Sequence, residues 1–251
     1  MGLIVQKFGG SSLASAEHVR GVAEQVLAAR RDGHDVVVVV SAMGKMTSDL
    51  LGRAQALTAE PQPRELDMLL SAGERISMSL LAMALGELGI EAISLTGVQA
   101  GIHTDSTHFN ARITDVSPQR VRDELDRGRV VVVAGYQGEG PTRDVTTLGI
   151  GGSDISAVAL AGALGAERCE ICSDVDGVYS ADPRKVTDAR RYEQLTYLDV
   201  LANDLGVMDA AAISLARENG LPIVVFNIHA PGAFAAVMQG EGRFTRIVEP
   251  K

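Results

Sequence analysis

Short, continuous apolar runs alternate with amphipathic segments along almost the whole chain. The run DVVVVVSAM (35–43) is the clearest of them, and such runs are typical of strands buried on both faces of a parallel sheet. The other runs are 3–8, 91–95, 129–135, 169–175 and 222–226, and the helical patterns are 16–32, 65–89, 117–128, 153–165 and 208–219. Helices that connect parallel strands cover both faces of the sheet. The sequence therefore predicts an α/β fold, a three-layer α/β/α sandwich with an open, mostly parallel sheet.

The chain shows one shift in composition, at DPRKVTDARRY (182–192), where a proline and a cluster of charges follow a predicted strand. No repeat or low-complexity linker divides it elsewhere, and 251 residues with 46% hydrophobic content can bury one substantial core. We expect a single domain over 1–251 with two lobes, 1–165 and 166–251, each of which binds one substrate.

Charge and composition exclude several classes of protein. The net charge of -9 and the lack of a Lys/Arg block argue against a nucleic-acid or anionic-membrane surface. The N-terminus MGLIVQKFGG has no signal-peptide pattern and no run approaches 18 apolar residues, so we expect a cytoplasmic protein with no membrane partner. Cys169 and Cys172 lie in a predicted strand, and buried structural thiols are favoured over a metal or redox pair. No metal site built from side chains is expected.

The first glycine-rich loop, KFGGSSLAS (7–15), follows the first predicted strand and precedes a helix. Gly9, Gly10 and Ser11 can bring backbone N–H groups close to an anion, and the helix N-terminus adds a favourable dipole. The loop matches neither the Rossmann nor the Walker pattern. A glycine turn with Ser11 or Ser12 as helix cap is the alternative. Lys7 favours the phosphate site, because a cation beside such a loop suits a transferring phosphoryl group.

The second loop, VSAMGKMTSDL (40–50), also connects a strand to a helix through a glycine turn. It offers Ser41, Lys45 and Thr47, for which helix capping and ligand contact are both open from the residues alone.

The third loop, TTLGIGGSD (146–154), opens with glycines and ends at the start of a helix. Gly151 and Gly152 can admit a ligand, Ser153 can donate hydrogen bonds, and Asp154 supplies a carboxylate that could also simply complement the helix dipole. Ligands of open α/β sheets bind beyond the carboxyl ends of the strands. Three such turns therefore predict one convergent site.

A fourth element, SDVDGVYSADPR (173–184), combines three acids, a glycine turn, Tyr179 and Arg184. Asp and Gly in this order also favour a simple tight turn.

Seven ordered motifs in this chain resemble the catalytic domain of aspartate kinase, in the amino acid kinase family. They are KFGGSS, VSAMGKMT, SAGERIS (71–77), SLTGVQAGIHTD (94–105), AGYQGEG, TTLGIGGSD and CEICSDVDGVYSADPRKV, and they cover about 1–187. The resemblance implies ATP-dependent phosphorylation of the side-chain carboxylate of L-aspartate to 4-phospho-L-aspartate, with ATP and Mg²⁺ as cofactors. It also implies that 1–165 is the acceptor-binding lobe and 166–251 the ATP-binding lobe.

The resemblance assigns roles to individual residues. Lys7 would neutralise the transferring phosphoryl group, and Asp154 would organise Lys7 and the acceptor. The glutamate of the GE motif, Glu74, would face the substrate ammonium. The remaining positions bind substrate (Ser41, Thr47, Ser153), phosphate (Gly9, Gly10, Ser11, Gly151, Gly152) or ATP (Ser173, Asp174, Tyr179, Asp182, Arg184). A carboxylate acceptor is already a nucleophile and needs no general base. His103 and His108, in the hairpin-like stretch after QAGI, are therefore expected to be structural or interface residues.

Two departures from the aspartate kinase pattern stand out. Ile150 occupies the position of an arginine that grips the acceptor α-carboxylate, and a lost bidentate contact of this kind costs roughly 1.5–3 kcal/mol. Arg143 and Lys45 are candidates to replace that arginine.

The second departure is that 192–241 resembles bacterial UMP kinase and that the chain stops where regulatory ACT domains would begin. We therefore expect no feedback inhibition through such domains, and a homo-oligomer. UMP kinase or another small-acid kinase, and a catalytically impaired nucleotide-binding protein, are the alternative functions.

Overall fold

A computed structural model describes residues 2–149, 151–183, 185–206, 208–228, 236–237 and 240–249. The strands are β1 Leu3–Phe8, β2 Asp35–Val40, β3 Ala92–Leu95, β4 Ile102–Thr104, β5 Ile113–Val116, β6 Val130–Ala134, β7 Gln137–Glu139, β8 Val145–Thr147, β9 Arg168–Ser173, β10 Gln194–Leu195, β11 Ile223–Asn227 and β12 Phe244–Ile247. The helices are α1 Ala16–Arg31, α2 Met46–Leu57, α3 Pro63–Leu70, α4 Ala72–Glu87, α5 Gln119–Leu125, α6 Gly152–Leu164, α7 Tyr197–Ala202 and α8 Ala210–Glu218, with a short 3-10 helix at Gly10–Leu13.

The main sheet contains eight described strands in the order β10-β12-β11-β9-β1-β2-β6-β3. Its neighbouring strands are parallel except for the pair β11 and β12. The predicted α/β sandwich with an open, mostly parallel sheet is therefore confirmed. Because parallel strands end at the same edge, the loops after β1, β2, β6 and β9 come together there.

Two apolar cores cover the two faces of the main sheet. Val37 and Val39 of β2 belong to the core that includes Ala157 and Val158 of α6. Val36, Val38 and Val40 belong to the opposite core, with the apolar faces of α1 and α4. Successive side chains of a strand point to opposite faces, so both sets are buried and the strand reads as an unbroken apolar run.

Helix α6 is rich in small apolar residues, and most of its side chains are buried. Its alanines allow the helix to pack closely on β1, β2 and β9, and its N-terminus lies at the carboxyl edge of the sheet. The helix ends at Gly165, whose φ of +67° is the left-handed conformation typical of a helix C-terminus. This packing fixes the position of the first turn of α6, which carries Asp154.

A second, four-stranded sheet in the order β5-β4-β7-β8 lies outside the main one. The segment after QAGI, predicted as hairpin-like, forms the antiparallel pair β4 and β5. The other two strands were not predicted, because strands of three residues carry too short a pattern to be recognised.

The predicted helix 65–89 is two helices, α3 and α4, which meet at Ser71. Within the part of the chain that the structure describes, the stretch Pro63–Glu87 is long and apolar enough by composition to cross a membrane, and 44% of its most apolar window is buried. It carries the buried acids Asp67 and Glu74, both hydrogen-bonded to other parts of the fold. We interpret it as a pair of core helices.

The main sheet runs through both predicted lobes, since β1 pairs with β2 on one side and with β9 on the other. The proposed boundary near 165 therefore does not separate two sheets. The division of substrates between the lobes stays a prediction.

Candidate active site

A cavity of about 840 Å³ opens at the carboxyl edge of the main sheet. The three glycine loops that the sequence predicted to converge all line it. Its described lining is Lys7, Gly9, Gly10, Ser41, Ala42, Gly44, Thr47, Glu74, Phe109, Asn110, Tyr136, Gly149, Gly151, Gly152, Ser153, Asp154 and Asp209. Ten of the eleven predicted catalytic, substrate-binding and phosphate-binding residues are in this set, and Ser11 is the exception.

An ion pair between Lys7 and Asp154 lies in this cavity. Lys7 is near the end of β1 and Asp154 is in the first turn of α6, and the Lys7 Nζ and Asp154 Oδ1 atoms are 2.7 Å apart. Only 15% and 13% of the two side chains are exposed. The pair joins residues that are 147 positions apart in sequence, and it keeps an ammonium group extended into the cavity.

The first two glycine loops are bonded to each other. The Gly44 N–H donates to the Gly10 carbonyl at 2.9 Å, and a Cβ atom on Gly10 would lie 2.6 Å from the Ala42 carbonyl oxygen. Such a distance is shorter than any tolerable contact, so residue 10 has to be glycine for the loops to meet. Ser11 is exposed and lies outside the cavity lining, whereas its neighbour Ser12 is buried.

The third glycine loop starts helix α6. Gly151 precedes the helix with a φ of +76°, a conformation that favours glycine. A Cβ atom there would lie 2.7 Å from the Asp209 Cβ atom, so the absent side chain also makes room for Asp209. Ser153 follows with its side chain almost fully buried at the cavity.

Glu74 lies in the first turn of α4 and is 3% exposed. Its Oε1 atom accepts a hydrogen bond from the Ala42 N–H at 3.0 Å, while its buried Oε2 atom has no hydrogen-bond partner among the described residues. Burial raises the pKa of the Glu74 carboxyl to about 7, against the opposing effect of the Ala42 N–H. Ser41 and Thr47 line the same cavity.

Besides Glu74, four residues of the described lining lie outside the three predicted glycine loops: Phe109, Asn110, Tyr136 and Asp209. Phe109 and Tyr136 have φ values of +65° and +67°, which are unusual for aromatic residues. Nothing in a single sequence marks such a backbone conformation. Asp209 caps helix α8 by accepting from the Ala211 N–H at 2.8 Å. An Asp before a small-residue helical pattern signals a helix cap, but not its contact with Gly151.

A second cavity of about 500 Å³ lies beyond the end of β9. It brings together four of the five residues assigned to ATP, namely Ser173, Asp174, Tyr179 and Asp182, whereas Arg184 lies outside the described residues. The Tyr179 hydroxyl donates to Asp176 Oδ1 at 2.6 Å. The loop 203–206 completes the cavity, and its contribution was not predicted.

The structure does not bring Lys45 or Arg143 into the first cavity. Both side chains are exposed and outside its lining, so neither replaces the missing arginine in this conformation. Ile150, which stands at that arginine's position, lies outside the described residues.

The predicted structural histidines and cysteines also lie outside the lining of the first cavity. His108 Nδ1 is 2.6 Å from Asp67 Oδ2, and His103 Nδ1 is 3.9 Å from Glu139 Oε2. Cys169 and Cys172 are buried free thiols whose pKa is raised by burial. A raised pKa disfavours the reactive thiolate, in agreement with a structural role.

Comparison with known protein families identifies the family of this chain. The sequence profile of the amino acid kinase family matches residues 2–227. The chain belongs to the amino acid kinase family. The aspartokinase of Mycobacterium tuberculosis is 54% identical over 229 residues, which are 90% of this chain and 54% of the relative. The chain thus spans about half the length of the curated relatives it matches.

Solved structures of family members have the same fold. The aspartate kinase from Synechocystis is 41% identical, with a TM-score of 0.84 over 99% of this chain and 40% of that one. The UMP kinase from Ureaplasma parvum has a TM-score of 0.73 over 99% of each chain at 21% identity, and this likeness shows the fold alone. The predicted resemblance to aspartate kinase is confirmed, and at 229 matched residues it extends beyond the predicted stretch of about 1–187.

Proposed function

We propose that this chain catalyses transfer of the γ-phosphoryl group of ATP to the side-chain carboxylate of L-aspartate, forming 4-phospho-L-aspartate. The observation that carries the proposal is the Lys7–Asp154 pair, 2.7 Å apart in one cavity with Ser41, Thr47 and Glu74. The similarity to aspartokinases over 90% of the chain supports the choice of substrate.

Lys7 is the group that stabilises charge during transfer. Because a carboxylate acceptor needs no base, the protein has to position the two substrates and neutralise the charge on the phosphoryl oxygens. The Asp154 carboxylate holds the Lys7 ammonium at one point in the cavity, so the charge is in place before the substrates arrive. Backbone N–H groups of the glycine loops supply further donors.

Glu74 is the group that recognises the acceptor. Within the described part of the chain its Oε2 atom is a buried acceptor without a partner, and an unpaired buried carboxylate is costly. The ammonium of an α-amino acid would satisfy it and favour the ionised form. Ser41 and Thr47, which line the same cavity, offer hydroxyl donors to a carboxylate of the acceptor.

Mg²⁺ fits the charges of the cavity. The described lining holds three carboxylates, on Glu74, Asp154 and Asp209, against the single cation Lys7. Among the described residues no three His, Cys, Asp or Glu side chains cluster closely enough to hold a metal. Phosphate oxygens and water would therefore be the main ligands, with Asp154 and Asp209 as the available carboxylates. Bound Mg²⁺ supplies neutralisation of the phosphate charge.

The second cavity is the proposed place of the nucleoside part of ATP. It is lined by Ser173, Asp174, Tyr179 and Asp182 at the carboxyl end of β9, and Arg184 is assigned to the same site from the sequence. A nucleotide bound there reaches the first cavity along one edge of the sheet, since β9 pairs directly with β1.

A coupled ADP-release assay tests the function. Purified protein with ATP and Mg²⁺ is given L-aspartate, L-glutamate, UMP or no acceptor, and hydroxylamine traps any acyl phosphate as a hydroxamate. We expect ADP release and hydroxamate with L-aspartate. ADP release with UMP and not with L-aspartate would make this chain a UMP kinase, and no release above the no-acceptor rate would leave a nucleotide-binding protein without turnover.

A further inference from the structure

The turn 108–111 is anchored by a buried carboxylate that the proposed mechanism does not use. Asp67 of α3 is fully buried. It accepts from the Phe109 N–H at 3.0 Å and from the Thr147 hydroxyl at 2.6 Å, and His108 Nδ1 is 2.6 Å away. No atom of Asp67 lines the first cavity, so its carboxylate acts on the cavity only through the groups it holds.

Phe109 is held in an unfavourable backbone conformation at the cavity. Its φ of +65° is rare for a bulky residue, and it is 44% exposed although it is large and apolar. Such strain persists only where surrounding contacts impose it, and it concentrates at binding sites. Here the imposing contact is the hydrogen bond from the Phe109 N–H to Asp67.

The turn also contacts the glycine loop that begins α6. The Ala111 N–H donates to the Thr147 carbonyl at 2.9 Å, and the Asn110 Oδ1 atom would lie 2.6 Å from a Cβ atom on Gly149. The turn is therefore fixed at both ends, by α3 and by β8, and its middle faces the cavity between the two.

Tyr136 extends the same surface. Its φ of +67° parallels that of Phe109, and its ring lies beside Gly152, where a Cβ atom would be 3.0 Å from Tyr136 Cδ2. Phe109 and Tyr136 together, called the aromatic wall below, are two of the four described non-glycine residues with positive φ. The wall lines the first cavity, as Glu74 and Thr47 do, and takes no part in the second.

We infer that the aromatic wall selects the acceptor by its size and that Asp67 is a positioning residue that holds Phe109 in place. A rigid ring on the acceptor side limits the length of the acid that fits between Glu74 and Lys7. An acceptor one methylene longer than aspartate would then meet the ring. This inference rests on the proposed function, and it states how the same site distinguishes aspartate from a longer acid.

Kinetics of matched variants test the inference. Phe109→Gly removes the ring and the backbone strain, and should lower the kcat/KM preference for L-aspartate over L-glutamate by about tenfold, as is typical for one methylene. Phe109→Leu keeps an apolar group and should stay within about threefold of the wild-type preference. An unchanged preference for L-aspartate in Phe109→Gly would contradict the proposed role of the aromatic wall.

Asp67→Asn tests the positioning role. We expect the KM for L-aspartate to rise about tenfold while the KM for ATP changes less than about threefold. In the Phe109→Gly background, Asp67→Asn should have little further effect on the preference, because residues that act through each other are not additive. The control is Glu124→Gln, a fully buried carboxylate paired with Arg129 away from the cavity. If Asp67→Asn lowers only the Tm, as expected for the control, or if its effects add to those of Phe109→Gly, the role assigned to Asp67 is wrong.

A readout without turnover separates this inference from the proposed function. In protein labelled with 4-fluorophenylalanine, the Phe109 resonance is assigned by its loss in Phe109→Leu. It should shift when L-aspartate is added and also when Asp67→Asn is introduced. A wild-type enzyme inactive on aspartate would refute the proposed function alone, whereas a resonance unmoved by either change would refute the inference alone.

Discussion

Replacement of Glu74 by glutamine gives a pH signature that follows from the burial of this side chain. Burial raises the pKa of the Glu74 carboxyl from its usual 4.5 to about 7. At ~1.4 kcal/mol per pKa unit, this shift means that ionising Glu74 in the empty cavity costs about 3 kcal/mol more than in water. A bound ammonium offsets that cost, so binding of the acceptor should expel the proton.

The expected proton release follows from the pKa. At pH 6 about 0.9 of the free protein carries the proton on Glu74, and at pH 8 about 0.1 does, so affinity for L-aspartate should rise about tenfold between these values. Isothermal titration calorimetry in buffers of different ionisation enthalpy measures both the affinity and the protons released. Glu74→Gln keeps an oxygen that can accept from the Ala42 N–H, but it should bind aspartate weakly and without proton release at any pH.

The same shift predicts the pH dependence of stability. The folded pKa of Glu74 lies above its unfolded value, so the folded state holds the proton more tightly. Stability is therefore lost as pH rises from about 4.5 through about 7. Relative to wild type, Glu74→Gln should gain up to about 3 kcal/mol in unfolding free energy between pH 5 and 8, measured by urea denaturation.

A carboxylate with the opposite shift provides the control. Arg129 lowers the pKa of Glu124, so that stabilisation is present above the unfolded pKa and Glu124→Gln should destabilise at pH 8. Wild-type aspartate binding without proton release at pH 6, or an unchanged pH profile in Glu74→Gln, would refute the assignment of Glu74 to the acceptor ammonium.

Three further changes test the phosphate loops and the missing arginine. Lys7→Met keeps the aliphatic stem and should reduce kcat by at least about 10³-fold in the ADP-release assay with the far-ultraviolet circular dichroism unchanged; activity within tenfold of wild type would contradict its role. Gly10→Ala places a Cβ atom 2.6 Å from the Ala42 carbonyl oxygen and should lower the Tm by several degrees, whereas Gly21→Ala, in open space on α1, should raise it slightly. Equal shifts in both would refute the close approach of the loops. Ile150→Arg should lower the KM for L-aspartate by one to two decades, and an unchanged KM would count against the lost arginine contact.

The sequence predicted the fold because six of the eight described strands of the main sheet carry their own local signal, whereas the short strands β10 and β12 at its edge were not predicted. The valines of β2 make the strand apolar on both faces. The glycine loops after β1 and β2, which lie at the carboxyl edge of the sheet, can be recognised from their own residues alone. Ligands of open α/β sheets bind at the carboxyl edge, where parallel strands end and the helices after them begin. This rule predicted one site for Lys7 and Asp154.

The unpredicted parts of the site depend on contacts between distant segments. The left-handed backbone of Phe109 exists because Asp67, 42 positions earlier, accepts its N–H, and no local pattern encodes that bond. Asp209 is near Gly151 only because α8 packs on α6. Ser11 fits the motif but lies on the outer side of the 3-10 helix, which a motif cannot distinguish.

The most direct test of the central claim is a crystal structure of the protein with L-aspartate, Mg²⁺ and a non-hydrolysable ATP analogue. The account predicts that the aspartate side-chain carboxylate and the terminal phosphate meet beside Lys7 Nζ, with the aspartate ammonium on Glu74 Oε2 and the nucleoside in the cavity beyond β9. Aspartate bound away from Glu74, or a terminal phosphate out of reach of Lys7, would contradict it.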